Sequence, residues 1–584
     1  MTPVTDRSEG PGPAAGPPAG PAAGPPAGPA AGAAWAGSGH AVFPEHEATV
    51  PGLLRHARAN HPENVAVVTP AARLTYAELD TRSAALARFL VTRGVGKGTH
   101  VGILFPNDER WVITWAAVTR LGAVAVPVNT FSKTPELATM LRHADVQVLV
   151  TCREFTPHDY AARLVEIAPA LTTATAPEPL WLPELPQLRH VLVWDECDEL
   201  RWAADVRELP PVAEEVATVA RAMEDDVVPA DPMLVTYTSG STGEPKGVVH
   251  AQGPLLRHAR NLAALAGLGP HDRIWTPMPL CWVGGFAFTL LRALSVGAAF
   301  VTQERMDAGI ALELLGRERV TCVSAWPATG AQLLSHPSYE RTDLSALRLG
   351  TLYEARPPAH RPADPGLAVT SLGMSETIGP HTFWTAAEDR TGAPEEFRGT
   401  FGHEVPGVSH RIVDDDGNDV AEGTEGEVWV RGYSLMLGLY RREREDVFDA
   451  DGWYHTGDRG YFDRGWFFFT GRSSDLVKTS GANVAPAEVE GALVALDGVR
   501  AAFVLGVAHE QRGQDVVALV VPDDTGAPPT PDELTNQLRE QLSSYKIPRA
   551  VFFIRAEDVP YMTSQKPDRR ALAALADKLS REES

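Results

Sequence analysis

The sequence feature that most constrains the fold is a polar, glycine-rich loop between two short segments rich in β-branched residues. Residues 234–237 are Leu-Val-Thr-Tyr and residues 247–250 are Gly-Val-Val-His, on either side of the run Thr-Ser-Gly-Ser-Thr-Gly-Glu-Pro-Lys. Segments of this kind, separated by glycine and proline, are typical of strands joined by a turn. The order therefore predicts a strand, a mobile loop and a second strand.

The composition of this loop is that of a phosphate site. Glycines let the backbone approach a ligand, and hydroxyls, backbone N–H groups and a lysine ammonium can meet phosphate oxygens. A Walker P-loop is a different motif, because there Gly-Lys-Ser/Thr opens a helix, whereas here Pro245 precedes Lys246 and Gly247 follows it. A polar hairpin loop without a ligand is the alternative interpretation. The predicted phosphate-binding residues are Thr238, Ser239, Gly240, Ser241, Thr242, Gly243 and Lys246.

Residues 238–247 resemble the phosphate-loop signature of the adenylate-forming superfamily, which contains acyl-CoA synthetases, peptide-synthetase adenylation domains and luciferases. The resemblance extends from about residue 49 to about residue 571. It implies an α/β fold with a large N-terminal domain of layered α/β sheets and a small mobile C-terminal α+β domain. It also implies two steps: a carboxylate attacks the α-phosphate of ATP, and a thiol then displaces AMP.

Length, charge and cysteine usage limit the class of protein. A chain of 584 residues exceeds one hydrophobic core, so two or more domains are expected. The net charge of -23 argues against broad nucleic-acid binding, and no apolar run is long enough for a membrane span. No secretory signal is apparent, and the four cysteines are scattered. These features predict a reduced, cytoplasmic protein without disulfides or a zinc site.

The predicted organisation has three parts. Residues 1–40 are a Pro/Ala/Gly-rich segment with almost nothing to bury, so we expect a disordered tail. Residues 41–472 form the predicted large domain, where strands alternating with helices indicate a parallel, layered sheet. Residues 473–584 form the predicted small mobile domain. Within the large domain, we expect a helix over residues 286–294 and a buried strand over residues 320–326 that Pro327 ends.

A second motif follows the loop at residues 372–377, Leu-Gly-Met-Ser-Glu-Thr. It resembles the aromatic-Gly-x-Thr-Glu motif of the superfamily. The resemblance implies that Glu376 ligates the Mg²⁺ that bridges ATP oxygens, a task for which carboxylate oxygen is a suitable ligand. Ser375 replaces the usual threonine and can still bond phosphate. Leu372 stands where an aromatic ring usually packs on adenine.

The adenine turn departs from the superfamily pattern. Relatives have Gly-Gly-Ala/Ser-Pro there, whereas the corresponding run here is residues 349–358. Two interpretations are open. Either Gly350 serves as the close-approach glycine, or Tyr353 and Glu354 reshape the pocket.

Two further motifs concern the ribose and the domain junction. Residues 456–458 match the Thr-Gly-Asp motif, which implies that Asp458 accepts hydrogen bonds from both ribose hydroxyls. Arg472 is implied to reach the ribose as well. Ser474 occupies the hinge position, where aspartate or lysine is usual, and Gly481 is implied to lie at the thiol channel.

The C-terminal tail carries the residue that we expect to be most important for catalysis. Residues 561–570 resemble the Thr-x-Ser-Gly-Lys-x-x-Arg motif, with Gln565 in place of the usual glycine. The resemblance implies that the Lys566 ammonium bridges the substrate carboxylate and the α-phosphate in the transition state. Thr238 and Glu376 complete the predicted catalytic set.

In many relatives the position of Trp282 carries histidine or another aromatic residue, and the helix that follows lines the acyl pocket. The resemblance therefore implies an acyl pocket around Trp282. An indole at this position, with glycines that open space, indicates a hydrophobic or aromatic acid. Ordinary core aromatics are the alternative, and Phe288 and Ile378 are expected to add to the apolar lining. The predicted pocket residues are Trp282, Gly284, Phe286, Trp326 and Gly373.

The leading hypothesis is a free-standing, AMP-forming acid–CoA ligase that uses ATP, Mg²⁺ and CoA on a small-molecule carboxylic acid. No Gly-x-Asp-Ser motif follows Lys566, so the thiol is expected from a separate molecule. Alternatives are a separate carrier protein as acceptor, or a divergent, diazotase-type activation of nitrite. A third hypothesis is a non-catalytic nucleotide-binding protein.

Overall fold

The computed structural model describes residues 40–132, 134–155, 158–177, 179–239, 245–472, 477–479, 482–484, 486–509, 512–523, 529–542, 546–562 and 566–583. The predicted disordered tail therefore lies outside the described residues, except for His40. The predicted site residues outside this description are Gly240, Ser241, Thr242, Gly243, Ser474 and Gly481.

The helices begin where side chains cap their free N–H groups. In α2, Thr75 and Glu78 form a capping box, and in α3 Asp108 accepts from the Trp111 amide. The α-helices of the described residues are α1 Val50–Asn60, α2 Tyr76–Thr92, α3 Glu109–Thr119, α4 Thr134–His143, α5 Tyr160–Ile167, α6 Glu214–Asp225, α7 Gln252–Leu265, α8 Arg292–Leu294, α9 Ala308–Arg317, α10 Pro327–Leu334, α11 Ala386–Thr391, α12 Pro486–Val494, α13 Pro531–Gln541 and α14 Arg569–Glu583.

The strands are short and mostly buried. Those of the described residues are β1 Val65–Val68, β2 Arg73–Thr75, β3 His100–Leu104, β4 Val124–Pro127, β5 Val148–Thr151, β6 Glu154–Phe155, β7 His158–Asp159, β8 His190–Val193, β9 Ala203–Asp205, β10 Pro232–Ser239, β11 Pro245–Ala251, β12 Arg273–Thr276, β13 Ala299–Thr302, β14 Cys322–Val323, β15 Leu349–Gly350, β16 Leu372–Met374, β17 Gly379–Phe383, β18 His403–Glu404, β19 Val408–Val413, β20 Gly426–Gly432, β21 Gly438–Leu439, β22 Tyr454–Asp463, β23 Trp466–Arg472, β24 Val477–Thr479, β25 Ala482–Val484, β26 Val499–His509, β27 Gly513–Pro522 and β28 Ala550–Phe553.

The largest sheet has eight strands in the order β21-β11-β10-β4-β3-β5-β8-β9. The pairs from β10 to β9 are parallel, and β11 and β21 are added antiparallel at one edge. Strands β4 and β5 are buried along their whole length, which is expected for parallel strands with both faces covered. The hairpin β10–β11 therefore starts from the rigid interior of this sheet.

A second sheet has six strands in the order β15-β14-β12-β13-β1-β2, and it is parallel except for the pair β1–β2. Two antiparallel sheets complete this part of the chain, β16-β17-β18 and β19-β20-β22-β23. The predicted alternation of strands and helices in a layered α/β fold is confirmed.

The C-terminal part has its own sheet and its own apolar clusters. Strands β25-β24-β27-β26 are antiparallel, and β28 joins β27 in parallel. On one face, Val504 and Val520 pack with Leu534 of α13, and on the other face Leu519 packs with Leu572 of α14. The domain boundary at residues 472/473 stays a prediction.

Two predicted elements differ from the structure. The strand predicted over residues 320–326 is only Cys322–Val323, because Thr351 Oγ1 replaces a backbone partner by accepting from the Ala325 amide at 2.8 Å. Pro327 begins α10 instead of simply ending a strand. The helix predicted over residues 286–294 is a π-helix, Phe286–Leu291, followed by the short α8.

The four cysteines are buried and free. No helix in the described ranges combines the length and the hydropathy of a transmembrane span.

Candidate active site

The phosphate hairpin is confirmed as two antiparallel strands. Tyr237 pairs with Gly247 and Thr238 pairs with Lys246. The two ends of the predicted loop therefore lie opposite each other in the hairpin. The Lys246 side chain is half-buried beside this turn. For Thr238 and Ser239 the structure describes the backbone, at the end of β10. The hairpin thus places Lys246 where the glycine-rich loop ends.

The segment that carries Glu376 is fixed by two buried histidines. His250 of β11 donates from Nε2 to the Ser375 backbone oxygen at 2.7 Å, and His258 of α7 donates from Nε2 to the Pro380 oxygen at 2.9 Å. The Met436 amide donates to the Glu376 backbone oxygen at 2.8 Å. These bonds hold the turn between β16 and β17 against the phosphate hairpin.

The two histidines act as neutral donors. His250 is 0% exposed and His258 is 1% exposed, and burial lowers the pKa of each imidazole to about 4. A carbonyl acceptor at each Nε2 fixes the tautomer with hydrogen on that nitrogen. The sequence analysis missed both residues, because nothing local marks a histidine whose partner lies 125 or 122 positions away.

The Glu376 carboxylate is half-buried and can serve a cation. The Tyr454 hydroxyl donates to its Oε1 at 3.2 Å, and no such bond is recorded to Oε2 within the described residues. In the part of the chain that the structure describes, no group of three His, Cys, Asp or Glu residues could hold a metal. One carboxylate, with oxygens from a bound phosphate and water, is the usual arrangement for Mg²⁺. The donor set therefore fits Mg²⁺ carried by a nucleotide.

Asp458 is held rigidly in β22. Its side chain is buried, with the residue only 2% exposed, and its amide donates to Thr456 Oγ1 at 3.0 Å. In the pairing of β22 with β23, Asp458 lies opposite Arg472. The backbones of the two residues predicted to contact ribose are therefore adjacent. The Arg472 side chain lies outside the description.

A cavity of about 450 Å³ lies beside Ser375, and Lys566 is part of its wall. Trp282 and Trp326 both line it and contact each other edge to face, with ring centroids 5.7 Å apart. The lining residues are Asn129, Thr236, Tyr237, Met278, Trp282, Val283, Gly284, Phe288, Ser324, Ala325, Trp326, Thr351, Ser371, Gly373, Met374, Ser375, Gly379, Pro380 and Lys566. The predicted residues Trp282, Gly284, Trp326 and Gly373 are thus brought together.

Phe286 is not a pocket residue, which corrects the prediction from the sequence. It is 1% exposed and packs against Trp111 and Trp115 of α3, each with a ring-centroid distance of 5.4 Å. Ile378 is also buried and does not line the cavity. Phe288, two residues along the π-helix, lines the cavity as expected. A π-helix has more residues per turn than an α-helix, so different residues of the segment face the same side. A prediction based on the α-helical period therefore assigns the wrong residues to the cavity side.

Gly350 lies in the run that departs from the superfamily's adenine turn. This residue has φ +102°, and a Cβ atom there would lie 1.9 Å from the Val323 backbone oxygen. Only glycine tolerates such an approach, and it lets Thr351 reach the cavity wall. Tyr353 instead donates from its hydroxyl to the Val369 oxygen at 3.1 Å, and neither it nor Glu354 lines the cavity. The close approach of Gly350 is to the neighbouring strand β14, and the choice between the two interpretations stays a prediction.

Comparison with known proteins places these features in a family context. Residues 54–440 match the family model described as AMP-binding enzyme, and residues 488–566 match the AMP-binding enzyme C-terminal domain. The first match alone covers more than half of the chain. The two matched stretches contain, respectively, the hairpin with Glu376 and the segment that ends at Lys566.

Similar proteins span nearly the same length. The chain is 30% identical to an indoleacetate–CoA ligase of Aromatoleum aromaticum over 88% of this chain and 97% of that protein. It is 32% identical to a feruloyl-CoA synthase of Amycolatopsis sp. over 86% of this chain and 94% of that protein. Among solved structures, an amide bond synthetase from Marinactinospora thermotolerans has a TM-score of 0.73 at 27% identity, covering 90% of this chain and 99% of that one.

Proposed function

The chain belongs to the AMP-binding enzyme family, and from this membership we propose that it is an AMP-forming acid–CoA ligase. It activates a small carboxylic acid with ATP and then transfers the acyl group to CoA. The observation that carries the proposal is the position of Lys566, on the wall of the same cavity as Trp282 and Ser375.

In the first step, a carboxylate oxygen bonds to the α-phosphorus of ATP and pyrophosphate leaves. The Lys566 ammonium is suited to hold the two anionic reactants together as negative charge shifts between them. In the second step, the CoA sulfur bonds to the acyl carbon, AMP leaves, and the thiol proton passes to solvent. At the α-phosphorus and at the acyl carbon, each step forms one bond and breaks one bond, and the second step also releases the thiol proton.

The nucleotide is proposed to bind along the hairpin and the two strands beyond it. We propose that the loop residues from Thr238 to Lys246 donate to phosphate oxygens, and that Asp458, which is buried, accepts from the ribose hydroxyls. Glu376 would hold the Mg²⁺ that accompanies ATP, where the cation would offset phosphate charge.

Residues 473–584 are proposed to form a separate mobile domain that pivots at Ser474 between the two steps. The pivot would withdraw Lys566 and present a CoA channel near Gly481. The separate apolar clusters around Val504 and Leu519 support an independently packed unit.

The acid is proposed to be aromatic or bulky and hydrophobic. The Trp282–Trp326 pair, Phe288 and Met278 provide apolar surface, and within the described lining Lys566 is the one residue with a formal charge. Indoleacetate and ferulate, which the names of two similar proteins include, are acids of this type.

The test is acid-dependent ATP–pyrophosphate exchange over a panel of aromatic, aliphatic and amino-bearing acids, followed by thioester detection with CoA. We expect exchange with aromatic acids and acyl-CoA formation from CoA alone. Thioester that forms only with a phosphopantetheinyl carrier protein would exclude CoA as acceptor. Pyrophosphate release with nitrite but with no carboxylate would instead support the diazotase-type alternative.

A further inference from the structure

A buried guanidinium lies directly behind the inner wall of the cavity. Arg292 of α8 is 1% exposed, and its Nη2 donates to Ser324 Oγ at 3.2 Å. The same guanidinium stacks over the Phe288 ring, with its carbon 4.2 Å from the ring centroid. Both Ser324 and Phe288 line the cavity, so the positive charge is separated from it by a single layer of side chains.

This charge has no contact ion pair among the described residues. Arg292 Nε and Nη1 are buried without a hydrogen-bond partner in that part of the chain. Asp389, a nearby carboxylate, is engaged by Arg356 in a buried ion pair. A buried cation with unused donors favours electron-rich groups in its surroundings.

Ser324 lies between Arg292 and the cavity. Its oxygen accepts from Arg292, and its amide donates to the Trp275 backbone oxygen at 3.0 Å. Within the described residues, no protein acceptor is recorded for the Ser324 hydroxyl hydrogen, although the residue is only 2% exposed. A hydroxyl whose oxygen is bonded by a cation becomes a stronger donor. Because Ser324 lines the cavity, a ligand oxygen there could accept that hydrogen.

We propose that Ser324, supported by Arg292, donates a hydrogen bond to an oxygen atom of the acyl group, so that the preferred acid carries a neutral hydroxyl, methoxy or carbonyl substituent away from its carboxylate. This inference rests on the proposed function, because it names the substrate class of the same site. Ser324 is then a specificity-determining residue, and Arg292 is a positioning residue behind it.

The substituent is neutral because, apart from Lys566, the described lining offers neutral polar side chains and no cation. Lys566, the one charged residue in the described lining, is assigned to the reacting carboxylate. A second carboxylate beside Trp282 and Trp326 would exchange its hydration for neutral donors only, which is a net cost.

The test compares two acids of nearly equal shape, a (methoxyphenyl)propanoate and the corresponding (ethylphenyl)propanoate, at the ortho, meta and para positions. kcat/KM for acid-dependent pyrophosphate release is measured, and the binding of each acid is measured by calorimetry. We expect the methoxy acid to be preferred roughly tenfold or more at one ring position at least, since a site built around a donor rejects an analogue without the acceptor.

Substitution of the donor should remove this preference. We expect the Ser324→Ala variant to treat the two acids alike, within about twofold, so that the readout is the ratio of the two kcat/KM values. Ser324→Cys, a weaker donor of similar size, should give an intermediate ratio. The matched control is Ser371→Ala, another serine of the lining, which should keep the wild-type ratio.

Equal kcat/KM and equal affinity at all three ring positions in the wild type would overturn the inference, and so would an unchanged ratio in Ser324→Ala. If no acid supports pyrophosphate release, the proposed function fails, while the binding ratio of the two acids still decides whether Ser324 recognises the oxygen.

Discussion

The Nε2–H of His250 donates to the backbone oxygen of Ser375 at 2.7 Å. This bond connects the strand that follows the phosphate loop to the residue that precedes Glu376. The His250 side chain is buried and Ser375 is half-buried, and the bond sets the spacing between the predicted phosphate site and the predicted magnesium ligand. The two sequence motifs therefore operate as one rigid unit.

Replacing His250 with leucine should weaken this unit. The variant removes the donor to the half-buried Ser375 oxygen, and loss of one partner of such a bond typically costs about 1–3 kcal/mol in the free energy of unfolding. We also expect KM for ATP to rise, since Glu376 is no longer held in position. Urea unfolding and steady-state kinetics measure the two effects. His250→Gln, which keeps a side-chain donor, is the control and should lose less; equal losses in both variants would contradict the role of the hydrogen bond.

Stability should fall on mild acidification because of the buried histidines. Burial lowers the pKa of His250 and His258 to about 4, from an ordinary value of 6.5, and the pKa of neighbouring His381 is also lowered. Above pH 6.5 these imidazoles are neutral in both states. Between pH 6.5 and about 4 the unfolded chain binds protons that the folded protein excludes, so each histidine removes up to about 1.4 kcal/mol per pH unit.

Urea titrations between pH 7.5 and pH 5 check this expectation. The wild type should lose stability steadily below pH 6.5, and a His250→Gln/His258→Gln double variant should show a shallower slope. Parallel pH profiles for the two proteins would assign the acid sensitivity to other groups.

Removing the Lys566 ammonium should abolish most of the adenylation activity. For Lys566→Ala we expect a rate reduction on the order of 10²–10³ in acid-dependent pyrophosphate exchange, which is typical for loss of one transition-state donor. Unfolding free energy should be nearly unchanged, since the residue is exposed. Lys578→Ala, an exposed lysine of α14 with 69% side-chain exposure, is the matched control and should retain activity.

The Glu376→Gln variant tests the magnesium assignment. An amide oxygen is a weaker ligand for Mg²⁺ than a carboxylate, so the variant should need a higher Mg²⁺ concentration for half-maximal pyrophosphate exchange. Chelation of Mg²⁺ should stop the reaction in the wild type. The control is Glu354→Gln, because Glu354 does not line the cavity. An unchanged Mg²⁺ titration for Glu376→Gln would remove this residue from the metal site.

Gly350→Ala should be destabilising and should reduce activity. The added Cβ would meet the Val323 oxygen at 1.9 Å, and φ at this position is +102°. Backbone strain of this kind costs on the order of 1–3 kcal/mol, and relief would shift Thr351 in the cavity wall. Gly269→Ala is the matched control, because no atom lies within 4 Å of its added Cβ. Similar unfolding free energies for the two variants would show that the close approach is not required.

The sequence determined the features that depend on neighbouring residues. Glycine, proline and β-branched side chains set local backbone preferences, so the β10–β11 hairpin and the strand–helix alternation were predictable. The motifs around Glu376, Asp458 and Lys566 identified the family, since their residue types and spacing suffice for recognition. The length of the strand before Pro327 was not predictable from local sequence. The Ala325 amide donates to the side chain of Thr351, which belongs to another segment, instead of to a neighbouring strand.

The tertiary structure alone decided which side chains meet. Phe286 was predicted to line the pocket but packs on Trp111, because the π-helical turn alters the side on which it lies. The bond of His250 to Ser375 joins residues 125 positions apart. Such contacts arise when layers of sheet and helix pack together, and the free energy of that packing is a property of the whole fold rather than of any local segment.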